Sequence, residues 1–194
     1  MIQEMSLVIE KLGGLYECQS PKIEEVDILK FESDINAKIP KDYEKFLLEY
    51  GYCIFNESIS FHPIKNSSEY NHTECTGMMN HLFHGSQVGC FFGINLDAES
   101  SHNELIDIYR TYYGRMPENF LPIADDGLGN KICISLNDES FGYVYWWDHE
   151  NEWDEDNYFD DVGKNMPNEV KYQNVYLISE SFTEFLTKLK IQEE

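Results

Sequence analysis

The order of the sequence patterns predicts an α+β domain, in which N-terminal helices pack on a mostly antiparallel sheet and a C-terminal helix closes the fold. Apolar residues recur at helical spacing in the first 50 positions, strand-like runs dominate from position 52 to 178, and a last helical pattern follows. This segregation of helices from strands argues against alternating α/β units. With 194 residues, of which 42% are hydrophobic, the chain fits a single domain spanning residues 1–194.

Three helices are predicted in the first quarter of the chain. Residues 2–16 carry apolar side chains at helical spacing. A second helix is expected to begin at Ser20 and Pro21, because serine is a preferred N-cap and proline a preferred first helical residue. A third is expected to begin at Pro40 and to end at Gly51, which has the conformational freedom that a C-terminal cap requires.

The remainder of the chain predicts a meander of strands with two further helices. Ser101 and Glu104 have capping-box spacing and predict a helix that stops at Gly114; Ser181 and Glu184 predict the closing helix in the same way. Residues 65–90 are polar and give no clear pattern. The strand-like runs are 52–55, 59–64, 90–94, 120–124, 132–136, 141–147 and 175–178.

The segment Asp125-Asp126-Gly127-Leu128-Gly129-Asn130 lies between two apolar runs and can be tested against three kinds of ligand site. A phosphate loop needs Ser or Thr after its lysine, but Ile132 follows Lys131. A dinucleotide fingerprint opens a helix, whereas the residues that follow here alternate like a strand. A calcium loop counted from Asp125 needs glutamate at its twelfth position, which is Leu136. The segment therefore predicts a β-hairpin turn without a ligand, in which glycines supply positive φ.

Charge is the strongest compositional signal. There are 36 acidic and 14 basic residues, and the net charge is −22. Such a surface repels nucleic acid and anionic membranes and attracts basic partners. Between residues 116 and 163 thirteen acids stand against one base, Lys131, so that the charge is concentrated in one part of the chain.

The cysteine count and the N-terminus predict a cytoplasmic protein. The five cysteines are odd in number and show no disulfide framework, which favours reduced thiols. The N-terminus has neither the basic region nor the long apolar stretch of a secretory signal, and the longest apolar run is too short to cross a bilayer.

Candidate metal and catalytic groups do not form a recognised pattern. His72, Cys75, His81 and His84 are residue types that bind zinc, but the gap between Cys75 and His81 is loose and no second cysteine completes the set. Acid pairs are expected by chance among so many carboxylates, and no nucleophile elbow occurs. We therefore predict no metal, no cofactor and no enzymatic activity.

Aromatic side chains alternate with acids in YVYWWDHENEWDEDNYFDD, residues 143–161. One interpretation is structural: either Trp146 or Trp147 faces the core, and Trp153 anchors a loop. The other is a protein interface, because Trp and Tyr are frequent hot-spot residues and clustered acids accelerate association with basic partners. The hypothesised partner surface consists of Asp125, Asp126, Trp147, Asp148, Glu150, Glu152, Trp153, Asp154 and Asp156.

Three stretches of the sequence resemble the SUKH superfamily, which contains bacterial toxin-immunity proteins and yeast cell-wall-synthesis regulators. They are INAKIPKDYEKFLLEYGYCIF, FLPIADDGLGNKICISLNDESFGYVYWWDHE and VYLISESFTEFLTKL, and they frame residues 35–190. The resemblance implies an α+β fold without catalytic residues that binds and neutralises a cognate toxin, often a nuclease. The acidic surface suits a basic toxin. Two alternatives stay open: a regulatory or scaffold module without a toxin partner, and an enzyme whose motif is not recognised.

Overall fold

The protein has an α+β fold, which a computed structural model describes for residues 2–16, 21–66 and 85–192. In these ranges the helices are α1 (Ile2–Lys11), α2 (Glu25–Ile35), α3 (Lys41–Tyr50), α4 (Leu105–Tyr112), α5 (Glu155–Val162) and α6 (Phe182–Lys188). The strands are β1 (Leu15–Tyr16), β2 (Cys53–Phe61), β3 (Lys65–Asn66), β4 (Ser86–Phe91), β5 (Phe120–Asp125), β6 (Lys131–Ser135), β7 (Val144–Trp147), β8 (Val175–Ser179) and β9 (Lys190–Ile191).

All of these strands belong to one sheet, in the order β1-β2-β4-β5-β6-β7-β8-β3, and β9 pairs with β2 on the edge opposite β4. Every ladder between the described strands is antiparallel. The centre of the sheet is the predicted meander, in which β5, β6, β7 and β8 are neighbours in both sequence and space. The expectation of an antiparallel α+β fold is therefore confirmed.

Both faces of the central strands are covered. In β6, Ile132 and Ile134 join the main core beneath α1, α2, α3 and α6, whereas Cys133 lies in a second, smaller apolar cluster. In β7 the same alternation places Trp146 in the main core and Trp147 in the second cluster. The expectation that one of the two indole rings faces the core is confirmed for Trp146, and the second cluster buries the Trp147 ring as well.

The first helix is shorter than predicted. It ends at Lys11 because Gly13 and Gly14 follow with φ of 88° and 79°, values outside the helical region. Leu15, expected in this helix, instead pairs with Phe55 at the edge of the sheet.

The second helix begins later than predicted, at Glu25. Glu24 precedes it in extended conformation and donates its N–H to the Asp27 carboxylate at 2.9 Å. Pro21 lies before the helix, and Ser20 lies outside the described residues. The third helix agrees with the prediction, since it follows Pro40 and Gly51 ends it.

The two capping-box predictions had opposite outcomes. Ser181 accepts the Glu184 N–H at 3.1 Å and caps α6, as predicted. Ser101 instead lies in a 3₁₀ turn, and the Glu104 carboxylate accepts the N–H groups of Asn95 and Leu96 at 3.1 and 2.8 Å. Glu104 thus organises the loop before α4 rather than the first turn of the helix, which ends at Tyr112.

The two runs predicted around residues 53 and 60 form one strand, β2. Its pairing with β4 shifts register between Ile54 and Ile59, so the polar residues between them lie on an irregular part of the same strand. β4 begins at Ser86, inside the segment whose pattern was unclear, and ends at Phe91.

Candidate partner-binding surface

The hairpin between β5 and β6 is built around the buried carboxylate of Asp126. This side chain has no exposed surface and accepts four hydrogen bonds. The donors are Leu128 N at 2.9 Å, Asn130 N at 3.2 Å, Asn130 Nδ2 at 2.7 Å and Ser86 Oγ at 2.8 Å. Asp126 therefore organises the turn and its contact with β4, and its side chain does not lie on the hypothesised partner surface.

The glycines of this hairpin have the conformation predicted for them. Gly127 and Gly129 have φ of 73° and 105°, and β5 pairs with β6 in antiparallel register up to Asp125 and Lys131. The half-buried Asp125 accepts the N–H groups of Cys90 and Gly127, each at 3.2 Å. The predicted hairpin is confirmed, and both of its acids serve its internal geometry.

The acidic segment after β7 is attached to this hairpin. Asn130 Oδ1 accepts the backbone N–H of His149 at 3.0 Å and lies 2.9 Å from the ring atom Nδ1 of the same histidine. A Cβ on Gly129 would lie only 2.7 Å from His149 Cε1, so the ring packs directly on the glycine. The hairpin and the start of the acidic segment therefore meet at one end of the sheet, as the hypothesis required.

Two further residues of the hypothesised surface are buried at this junction. Trp147 has no exposed surface, and its ring packs edge-on against Tyr112, with 5.5 Å between ring centroids. Asp148 is 3% exposed and accepts the Glu150 N–H at 3.1 Å and Asn151 Nδ2 at 2.6 Å. Burial raises the pKa of the Asp148 carboxyl. These side chains hold the loop in place, and neither can contact a partner without rearrangement.

Two ion pairs fix the rest of the segment on the second apolar cluster. Arg115 donates to both carboxylate oxygens of Glu152, at 2.9 and 2.6 Å, and its guanidinium lies over the rings of Tyr112 and Trp147. The Lys171 ammonium lies 3.5 Å from the Glu155 carboxylate. Glu152 is therefore engaged within the protein, although it was predicted to contact a partner.

An acidic helix, α5, follows where the sequence was interpreted as a loop. Asp154 caps it by accepting the N–H groups of Asp156 and Asn157 at 2.9 and 3.1 Å, and Gly163 ends it with φ of 72°. None of its eight residues is buried. The helix was missed because it contributes nothing to the core and so shows no buried stripe. An aspartate cap, acids in the first turn and a terminal glycine were the signals that could have revealed it.

We call the solvent-facing side of this segment the acidic face. Phe159 and Val162 are 52% and 46% exposed on it, and the half-buried Trp153 packs edge-on against Tyr158, with 5.5 Å between centroids. Large apolar side chains thus stand exposed among carboxylates, an arrangement seen in protein interfaces. The acidic face comprises Glu150, Trp153, Asp154, Glu155, Asp156, Phe159, Asp160, Asp161 and Val162.

Metal and nucleophile sites gain no support from the described residues. His72, Cys75, His81 and His84 lie outside them, and within them no group of three or more His, Cys, Asp or Glu side chains could hold a metal ion. The cysteines that are described, Cys53, Cys90 and Cys133, are buried and form no disulfide with one another. Burial raises the pKa of the Cys133 thiol, which disfavours the nucleophilic thiolate.

A family model described as SMI1 / KNR4 family (SUKH-1) matches residues 22–188. The chain belongs to this family. Over 131 residues it is also 31% identical to the SPbeta prophage-derived uncharacterized protein YokK of Bacillus subtilis (strain 168). That alignment covers 67% of this chain and 65% of YokK, so the chain spans less than two thirds of that relative. The SUKH resemblance of the sequence motifs is confirmed. No helix among the described residues is long and apolar enough to span a membrane.

Proposed function

We propose that this SUKH-1 protein is a non-enzymatic immunity protein of the cytoplasm that neutralises a cognate toxin by direct contact through the acidic face. The observation that carries the proposal is α5, a capped helix that contributes no buried residue yet presents Phe159 and Val162 among its acids. A helix that does nothing for the core and exposes apolar side chains is suited to a partner rather than to the fold.

The charge of the acidic face favours a basic partner. The carboxylates of Asp156, Asp160 and Asp161 take part in no ion pair or side-chain hydrogen bond among the described residues, so their charge is directed to solvent. A nuclease must carry lysine and arginine to hold phosphates, and an acidic surface can occupy the same groups in the nucleic acid's place. We therefore propose a nuclease as the class of toxin.

The proposed contact residues differ from those that the sequence suggested for partner binding. Trp147, Asp126 and Asp148 are buried and Glu152 is paired with Arg115, so their proposed role is to hold the acidic face in position. Of the nine residues in the original hypothesis, Glu150, Trp153, Asp154 and Asp156 remain in the proposed contact surface, whereas the half-buried Asp125 is hydrogen-bonded to Cys90 and Gly127 within the hairpin region.

The proposal can be tested by affinity capture and neutralisation. The tagged protein is used to capture partners from a lysate of its source cells, and a toxic protein encoded beside its gene is the expected partner. Adding purified protein in equimolar amount should abolish the toxin's activity, and co-expression should restore growth. Recovery of a non-toxic regulatory component instead would support the scaffold alternative. Turnover of a nucleotide or ester substrate by the purified chain would contradict the non-enzymatic assignment.

A matched pair of variants tests whether the toxin contacts the acidic face. Asp156→Asn, Asp160→Asn and Asp161→Asn together remove three charges from the acidic face. The control changes Glu10→Gln, Glu25→Gln and Asp34→Asn, exposed acids of α1 and α2, which cover the opposite face of the sheet. Both variants lose the same net charge, so weaker neutralisation by the first alone places contact at the acidic face. Equal neutralisation by both variants contradicts that location.

A further inference from the structure

A tyrosine-lined cavity lies where α4 ends and β5 begins, beside the acidic face. Its volume is about 290 Å³. Three tyrosines of α4 and its C-terminus line it together with Phe120, and Glu118 and Lys171 supply the charged groups. The tyrosines are Tyr109, Tyr112 and Tyr113.

The tyrosine rings are not equally available to a ligand. Tyr112 already has cations close to its ring, since Arg115 Cζ and Lys131 Nζ lie 4.8 and 5.0 Å from the ring centroid. Tyr109 and Tyr113 pack edge-on, with 6.0 Å between centroids, and Tyr113 is 76% exposed. The Tyr113 ring is therefore the accessible aromatic surface at the cavity mouth.

The charges around the cavity favour a cation. Lys171 is not available to bind an anion, because its ammonium donates to the Gly114 carbonyl, approaches Glu155 within 3.5 Å and belongs to a side chain that is 9% exposed. Glu118 is exposed, and Asn168 Nδ2 occupies only one of its carboxylate oxygens, at 3.3 Å. A carboxylate with free lone pairs therefore stands beside aromatic rings.

The protein already uses this combination once for its own arginine. The Arg115 guanidinium lies over a tyrosine of α4, and a glutamate accepts hydrogen bonds from its Nε and Nη2. A planar guanidinium stacks on aromatic rings and pairs with a carboxylate through a fork of donors, which an ammonium cannot do. The cavity offers a second tyrosine ring and a second glutamate in the same part of the fold.

We propose that this cavity receives one arginine side chain of the basic partner, with the guanidinium against Tyr113 and paired with Glu118. The proposal rests on the proposed function for the source of that arginine. Because the cavity and the acidic face adjoin through the contact between Lys171 and Glu155, one partner can occupy both. The acidic face would then attract the partner, and the cavity would anchor it.

The test uses a small arginine probe and needs no partner. N-acetyl-arginine N-methylamide, titrated into the ¹⁵N-labelled protein, should shift the amide signals of Tyr113, Gly114 and Asn119 in a saturable way. The matching citrulline amide, which is isosteric but uncharged, should produce no saturable shift. The matching lysine amide should bind more weakly than the arginine probe. Equal shifts from citrulline or lysine, stronger cavity shifts from inorganic phosphate, or shifts spread over α5 would each overturn the proposal.

Substitutions at Tyr113 and Glu118 separate the contribution of ring stacking from that of the carboxylate charge to binding of the arginine probe. Tyr113→Ala should weaken the arginine probe about threefold to fivefold, as expected for loss of an exposed cation–π contact. Tyr113→Phe should keep the affinity, and Tyr16→Ala, a change at another exposed tyrosine, should leave it unaltered. Glu118→Gln should weaken binding, whereas Asp138→Asn, at an exposed acid outside the cavity, should not. Unchanged binding in both Tyr113→Ala and Glu118→Gln would refute the site.

The cavity and the acidic face can fail separately in these experiments. If the arginine probe binds in the cavity while the variant of Asp156, Asp160 and Asp161 neutralises a toxin normally, the acidic face is wrong and the cavity stands. If that variant fails to neutralise and the probe does not bind, the cavity is wrong and the proposed function stands.

Discussion

Replacing Asp126 by alanine should destabilise the protein severely, because this buried carboxylate organises the β5–β6 hairpin. Asp126 accepts two hydrogen bonds from Asn130, and both of these donors are buried. The donors of Ser86 and Leu128 are only partly buried and can bond to water when the carboxylate is removed. Leaving a buried donor unsatisfied costs about 1–3 kcal/mol, so two of them cost about 2–6 kcal/mol. Alanine also removes the desolvation of the carboxylate, which offsets part of this loss. We expect Asp126→Ala to lower the free energy of unfolding by about 3 kcal/mol.

Urea unfolding followed by tryptophan fluorescence measures this loss, provided that the slope with denaturant stays unchanged. Asp138→Ala is the control, since this acid is exposed and its loss should change the free energy of unfolding by less than about 0.5 kcal/mol. Asp126→Asn should fall between the two, because an amide supplies one acceptor but also places an N–H₂ group among donors. If Asp126→Ala and Asp138→Ala have the same stability, the hydrogen-bonded carboxylate does not organise the turn, and our account of the hairpin is refuted.

Three further outcomes are expected. Gly127→Ala should cost about 1–2 kcal/mol of unfolding free energy through positive φ alone, and Gly129→Ala should cost more because its Cβ would lie 2.7 Å from His149 Cε1; equal thermal melting temperatures would contradict this contact. Burial raises the pKa of Asp148 in the folded state above its ordinary value of 3.8. At pH values between the ordinary and the folded-state pKa, the folded state therefore holds the proton more tightly than the unfolded state does. The unfolding free energy of the wild type should therefore fall relative to that of Asp148→Asn as the pH rises through this window; parallel pH profiles would count against it. Phe159→Ala should speed dissociation of the captured partner at least tenfold while leaving the melting temperature unaltered, and an unchanged dissociation rate would remove this ring from the interface.

Local sequence signals predicted the parts of the fold whose geometry they determine directly. Gly127 and Gly129 require positive φ between two apolar runs, and the hairpin followed from them. Ser181 has an acid three residues later and a phenylalanine next to it, and α6 begins there. Such signals fail when a side chain has another partner: Glu104 satisfies loop N–H groups before α4 instead of capping a turn with Ser101.

The candidate surface was harder to predict because burial on a sheet depends on what covers its second face. Alternation placed one of Trp146 and Trp147 in the core but gave no indication that residues from α4 and the segment after it bury the other ring on the opposite face. Nothing in the sequence near Glu152 indicates that Arg115, 37 residues away, neutralises it. The sequence grouped the hairpin acids with the charged segment, and the two do meet at one end of the sheet. Only the tertiary structure shows which of these residues are exposed and which are buried beneath them.

The most direct test of the central claim is the association rate of the captured partner at low and high salt. Stopped-flow measurements at roughly 50 and 500 mM salt compare the wild type, the variant of Asp156, Asp160 and Asp161, and the equally charged control of Glu10, Glu25 and Asp34. If the acidic face steers a basic partner, the first variant should associate more slowly at low salt and lose much of the salt dependence, while the control stays close to the wild type. Identical rates and salt dependence for the folded acidic-face variant and the wild type would contradict the claim.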